Sequence, residues 1–366
     1  MREYKKILTA FMNISIILSC FFLFLVFLVK SVLPEAIHIN ILKDGKKENE
    51  IVSSYEVSNE KESSESFDEG MNIKEPINKT IKVFLSGSGN VVEMDIEQYV
   101  KGVVSSEMPA LFEIEALKAQ AIAARTFAIG HMESNGGIPC INSKKHGADI
   151  CDTTHCQVYR NKADTIIKWE QENADEYWKR IKEAVESTEG EVIEYNGKVI
   201  DMPLYFAVSS GTTENIKDVF NAERPYLLSV KSYGDDLAPK YTEIVKLSKD
   251  KFINILNENN IKVNKDEINS SIEIVEKNSS GSISKIRLGE EIVDSVDFRR
   301  MFSLNSTNVK IKITENDIEI TCVGYGHGVG MSQWGANAMA RDNKTAIEII
   351  EHYYTGTKVE KIGYKE

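Results

Sequence analysis

Apolar and polar residues alternate along IKVFLS and VVEMDI on either side of SGSGN, which predicts a β-hairpin beginning near residue 80. At Ile96 the period changes. Tyr99, Val100, Val103 and Val104 make a stripe at helical spacing. Pro109 disfavours helical geometry at Met108, so this helix is expected to end close to Glu107. EIEALKAQAIAARTFAIGHME predicts a second helix over 113–133, and its many alanines permit the close packing of a central, buried element. Residues 140–159 show no regular period. A helix is expected over 172–188, then strands over 191–195 and 198–202 around Asn196-Gly197, a strong hairpin signal. LYFAVSSGTTEN reads as a strand running into a polar turn. Signals weaken over 241–321, with a helix near 248–258, short strands and the helix VDFRRMF; this stretch could belong to the core or form a second lobe. GYGHGVGMSQWGANAMARD is a Gly-rich loop entering a helix, and a last helix is expected over 345–354. The order β-β-α-α followed by mixed elements predicts an α+β fold, with mixed sheets and helices around a central Ala-rich helix, rather than a doubly wound sheet.

Ahead of this region the pattern is different. Residues 7–29, ILTAFMNISIILSCFFLFLVFLV, carry no charge, and this length of 23 residues exceeds the roughly 20 that span a bilayer. Arg2, Lys5 and Lys6 precede it, which places residues 1–6 in the cytoplasm and the rest outside. A cleaved signal peptide is the rival reading, but its apolar run is usually shorter and ends in a small-residue site absent from VKSVLPEAIH. Both readings export the remainder. Residues 30–79 lack hydrophobic periodicity, and 44–75 hold ten acidic against four basic residues, half of the net charge of −12. That composition predicts a solvated, flexible linker to an exported catalytic region at 80–366. No basic arm or aromatic-basic stripe points to nucleic acid.

Several residues could carry chemistry. Glu107 lies in VVSSEMPALF, with apolar neighbours and a chain break directly after it. Poor solvation there would raise its pKa and suit it to give and retake a proton. A glutamate at a helix end more often keeps its head in water, and spacing alone does not reverse that. Lys118 and Arg125, seven residues apart, project from one helical face and could bind sugar hydroxyls or a carboxylate such as Glu107; ordinary salt bridges are the plainer reading. HGADICDTTHCQ gathers His146, Cys151, His155 and Cys156. Thiolate with imidazole suits a closed, structural tetrahedral zinc, with Cys140 able to replace one ligand or to form a disulfide. Ser210 and Thr212 in the SSGTT turn, and His327 and Gln333 around the glycine loop, could hydrogen-bond a polar ligand.

Taken together, VVSSEMP, ALKAQAIAARTFA, ADICDTTHCQVY, YFAVSSGTTEN and GHGVGMSQWGA resemble the SpoIID/LytB family over roughly residues 80–360. The resemblance implies a peptidoglycan lytic transglycosylase, anchored in the cell membrane at the sporulation septum and acting during forespore engulfment. It places the catalytic glutamate on Glu107 and the accompanying lysine and arginine on Lys118 and Arg125. It further implies glycan strands already stripped of stem peptides as substrate, a SpoIIP-type amidase and a SpoIIM-type membrane protein as partners, and a zinc site on His146, Cys151, His155 and Cys156. One carboxylate suffices for such chemistry, whereas a hydrolytic glycosidase usually needs two. The alternative is a non-catalytic wall-binding activator of a partner amidase.

Overall fold

The computed structural model describes residues 70–169 and 172–365. The expected cytoplasmic segment, the membrane helix over 7–29 and residues 30–69 of the linker lie outside the described residues. Among the described residues, no helix is long and apolar enough to cross a membrane. The architecture is α+β, built from several small sheets around a helical centre.

Strands β1 (Thr80–Leu85) and β2 (Asn90–Asp95) form the antiparallel hairpin, with Thr80 opposite Asp95. Asp95 ends the strand by capping helix α1 (Ile96–Glu107), its carboxylate accepting the backbone N–H groups of Glu97 and Gln98. The apolar stripe of α1 is fully buried at Tyr99, Val100, Val103 and Val104. Helix α2 (Ile114–His131) is the centre of the molecule, packed by α1, by α5 (Ala174–Ser187), by α9 (Gln333–Arg341) and α10 (Ala346–Tyr353), and by strand β4 (Glu191–Tyr195). Its alanines at 116, 119, 121, 123, 124 and 128 are all buried, which lets so many elements approach one helix.

Between α2 and α5 lie two short helices, α3 (Ile141–Lys144) and α4 (Lys162–Lys168), and the two-residue strand β3 (Ile150–Cys151), which joins β1 in parallel. Asn196 and Gly197 both take positive φ, the geometry a two-residue hairpin demands, and turn β4 into β5 (Lys198–Val199). That second strand is shorter than the pattern predicts because Asp201 is drawn away to Arg224 and Tyr226. Strand β6 (Tyr205–Phe206) pairs in parallel with β13 (Met331–Ser332), which leads into α9.

Residues 242–323 have a hydrophobic core of their own, around Phe252, Leu256, Ile286, Phe298, Phe302 and Ile320. Two three-stranded antiparallel sheets supply it: β8 (Ile272–Lys277), β9 (Ile283–Leu288) and β10 (Glu291–Asp294), and β7 (Thr242–Ser248) with β11 (Val309–Ile313) and β12 (Asp317–Val323). Helices α7 (Lys249–Glu258) and α8 (Ser295–Met301) accompany these sheets. Helix α6 (Ile216–Phe220) lies between β6 and β7 in the chain, and strand β14 (Lys358–Lys361) pairs with β4.

Candidate active site

Glu107 is the last residue of α1. Met108 beyond it is extended, with φ −121° and ψ 144°, as its position before Pro109 requires. The residue keeps partial solvent exposure, but protein packs closely enough around the carboxyl for desolvation to dominate, pushing its pKa from 4.5 up to about 7. Two effects oppose the rise: the Val158 N–H donates to Oε1 at 2.8 Å, and the Arg160 charge favours the carboxylate. No second carboxylate among the described residues figures in setting this value.

The segment bearing Val158 is held against α1 by a clearance in the helix. A Cβ on Gly102 would lie 2.4 Å from the Tyr159 ring and 2.5 Å from the Arg160 carbonyl, so only glycine lets this segment seat there. Tyr99, one turn earlier, stacks on Tyr159 with ring centroids 5.4 Å apart and donates its hydroxyl to Gln157 Oε1 at 3.2 Å. Tyr205 completes the surroundings, close enough for the Glu107 charge to raise its pKa further after burial has raised it.

The glycine loop holds Tyr205 from behind. His327 accepts the Val329 N–H at Nδ1 (3.2 Å), so Nε2 carries the proton and donates to the Tyr205 carbonyl at 3.0 Å. Burial drives the His327 pKa down to about 4, which keeps the ring neutral. A Cβ on Gly330 would sit 2.0 Å from the Leu204 carbonyl, and its φ is +79°, so the approach of loop to strand also needs glycine. Ser210, Thr212 and His327 line one narrow cleft with Ser306 and Asn308. Within it, Ser210 accepts from Asn308 Nδ2 at 3.1 Å, and Thr212 accepts from Lys231 Nζ at 3.1 Å. Gln333 turns elsewhere, donating to the Gln120 carbonyl oxygen at 3.2 Å in the buried interface of α9 and α2.

Beyond Val158 toward the N-terminus lies a cluster of soft ligands. Cys140, Cys151, His155 and Cys156 bring one ligand atom each to within 4.8 Å of one another. Cys140 Sγ is 3.2 Å from His155 Nδ1, and the Cys151 and Cys156 sulfurs are 3.5 Å apart, too far for a disulfide. Ligands of tetrahedral zinc at 2.3 Å would lie about 3.8 Å apart, so these four residues fit that ion after small adjustments. The set differs from the one expected: His146 is exposed and stacks on Phe84 at 4.0 Å, while Cys140 takes its place. The loop decides this. Cys140 N–H donates to the Asp149 carbonyl at 2.8 Å, closing residues 140–149 so that His146 points outward.

The family model for the stage II sporulation protein SpoIID matches residues 86–195, a span that includes Glu107 and the Cys/His cluster. The chain is 35% identical to stage II sporulation protein D of Bacillus subtilis, over 76% of this chain and 78% of that protein. The chain belongs to the SpoIID family. A second relative, stage II sporulation protein D of Bacillus amyloliquefaciens, is 34% identical over the same shares of the two chains. The amidase enhancer of Bacillus subtilis is 29% identical, over 70% of this chain and 40% of that protein.

In this SpoIID family member, Arg125, one of the two helical cations expected beside the glutamate, is engaged elsewhere. Arg125 is fully buried and donates from Nε and Nη2 to both oxygens of Glu97, at 2.8 and 2.7 Å. Its remaining donors reach the carbonyls of Val185 and Glu191. The geometry has a simple cause: α2 lies beside α1 so that its later turns meet the first turn of α1, where Glu97 sits, and not the last. Lys118 pairs with Glu115 at 2.7 Å, and the other Glu115 oxygen accepts the Ala346 N–H at the start of α10. Tyr205, Gln157, Val158 and Arg160 were not singled out by sequence. Their neighbourhoods, YFAVSSG and HCQVY, lie in the family motifs, and that was the available signal.

Proposed function

We propose that the protein is a lytic transglycosylase that cuts the bond between N-acetylmuramic acid and N-acetylglucosamine in peptide-free glycan strands during forespore engulfment. The observation that carries this reading is the Glu107 carboxyl, with a pKa near 7 set by burial rather than by a neighbouring carboxylate. At neutral pH such a group is available both as acid and as base. With Oε1 occupied by the Val158 amide, Oε2 serves the substrate. Protonated Glu107 gives its proton to the glycosidic oxygen, and the bond to C1 of the muramic residue breaks. The resulting carboxylate takes the proton of the muramic C6 hydroxyl as that oxygen bonds to C1. A 1,6-anhydro end forms, and no water is consumed.

The same reading places residues 7–29 in the cell membrane with the catalytic region outside, at the sporulation septum. Zinc, held by Cys140, Cys151, His155 and Cys156, would be structural, since four protein ligands leave no open position. A SpoIIP-type amidase and a SpoIIM-type membrane protein are the proposed partners. The relative named amidase enhancer favours one second reading, a wall-binding activator of an amidase. Digestion of peptide-free glycan strands, followed by mass spectrometry, separates the two. Anhydro-muramic ends made by the wild type and absent with Glu107→Gln are expected; reducing ends mean hydrolysis, and intact strands favour the activator.

A further inference from the structure

Two buried polar atoms beside Glu107 have no aligned hydrogen-bond partner among the described residues. Gln157 is 1% exposed, and while its Oε1 accepts from Tyr99, its Nε2 has no hydrogen-bond partner among the described residues. The Tyr205 hydroxyl oxygen is likewise buried and unpartnered. Gln157 lies near enough to Tyr205 to lower the phenol's pKa slightly against burial, yet the two groups do not meet in an aligned hydrogen bond. Leaving a hydroxyl and an amide desolvated without partners costs about 1–3 kcal/mol each, and such exceptions in a native structure call for a reason.

Both groups are held in place firmly. Gln157 immediately precedes Val158, whose amide binds Glu107, and Tyr99 fixes its side chain from the other side. Tyr205 is pinned through its backbone twice, by pairing with Met331 and by the His327 donor to its carbonyl. The expected binding residue His327 thus acts through Tyr205. Rigid donors aimed beside an acid/base carboxyl are how sugar sites orient a substrate.

We propose that the Tyr205 hydroxyl and the Gln157 side-chain amide bind the saccharide at the scissile bond, together donating hydrogen bonds to the oxygen of an N-acetyl group. An amide nitrogen can only donate, and a carbonyl oxygen has two lone pairs to receive two converging donors. The acetamido oxygen is the carbonyl that every sugar of this glycan displays. The assignment rests on the glycan-cleaving reading, but its test does not require cleavage.

The test measures affinity for peptide-free glycan strands in the full chain carrying Glu107→Gln, a background that cannot turn over. Adding Tyr205→Phe is expected to weaken binding of fully acetylated strands about tenfold, the worth of one good hydrogen bond. The same change should scarcely alter binding of chemically N-deacetylated strands. Its melting temperature should not fall, because the lost hydroxyl makes no aligned hydrogen bond among the described residues. Gln157→Leu should repeat the affinity loss. Unchanged affinity in both variants, an equal loss on both kinds of strand, or a lower melting temperature for Tyr205→Phe would overturn the assignment. Should the wild type cut no glycan, the transglycosylase reading fails alone, since these affinities are read without turnover.

Discussion

Replacing Glu107 with glutamine isolates what the protein gives up to keep a carboxyl in this place. The folded-state pKa of about 7 lies above the ordinary value of 4.5, so the folded protein holds its proton more tightly than the unfolded chain does. Between those values the folded state binds more protons, and stability therefore falls as pH rises through the window. The loss is absent below pH 4.5 and complete above pH 7. At 1.36 kcal/mol per pH unit, the gap corresponds to about 3 kcal/mol as an upper bound, since the residue keeps contact with solvent. Glutamine retains an oxygen able to accept the Val158 N–H and carries no charge to desolvate.

The variant should accordingly match the wild type near pH 4 and exceed it by up to about 3 kcal/mol at pH 8, while losing all cleavage. Urea unfolding of both proteins at pH 4, 6 and 8 measures this directly. A stability difference that does not change with pH would refute the claim that burial dominates at Glu107. A variant less stable than the wild type at pH 8 would refute it more strongly, because the carboxylate would then be a stabilising group.

Three further perturbations follow from the same geometry. Arg160→Gln removes a charge that favours ionised Glu107, so the alkaline limb of kcat/KM should move to higher pH; an unmoved limb would detach Arg160 from the site. Arg125→Met leaves Glu97 buried and unpaired and should cost about 3–5 kcal/mol in denaturant unfolding, with partial recovery on adding Glu97→Leu; a wild-type midpoint would show that the pair does not support the fold. Cys140→Ser should lower the zinc content of the purified chain, whereas His146→Ala should leave it intact; the reverse result would return His146 to the ligand set.

What the sequence made legible was local. Pro109 stopping α1 at Glu107, Asn196-Gly197 turning a hairpin, and the alanines that crowd α2 all act within a few residues of themselves. The family followed from motifs read in order. What escaped depended on how distant segments meet. Seven-residue spacing put Lys118 and Arg125 on one face, but only the packing of α2 on α1 decides that Arg125 finds Glu97. The choice of Cys140 over His146 depends on a backbone hydrogen bond that closes a ten-residue loop. The Tyr205 hydroxyl and the Gln157 amide nitrogen carry no local mark, because a buried polar atom left unpaired among the described residues is a property of three dimensions.

The acid strength of Glu107 illustrates the same division. Its place beside a helix break is written into residues 103–109, but its pKa is raised by burial and held back by a segment some 50 residues later. That segment is fixed at both ends. Cys151 is tied to Phe84 by parallel pairing, and Tyr159 and Arg160 are seated in the clearance left by Gly102. Between these anchors run the cluster residues His155 and Cys156, then Gln157, then Val158. A change in the cluster therefore reaches Glu107 through only two intervening peptides, and the amide that moves is the hydrogen bond holding the carboxyl's pKa down. A structural metal site placed here would act on catalysis without touching substrate, by keeping the Val158 amide within 2.8 Å of the carboxyl it tunes.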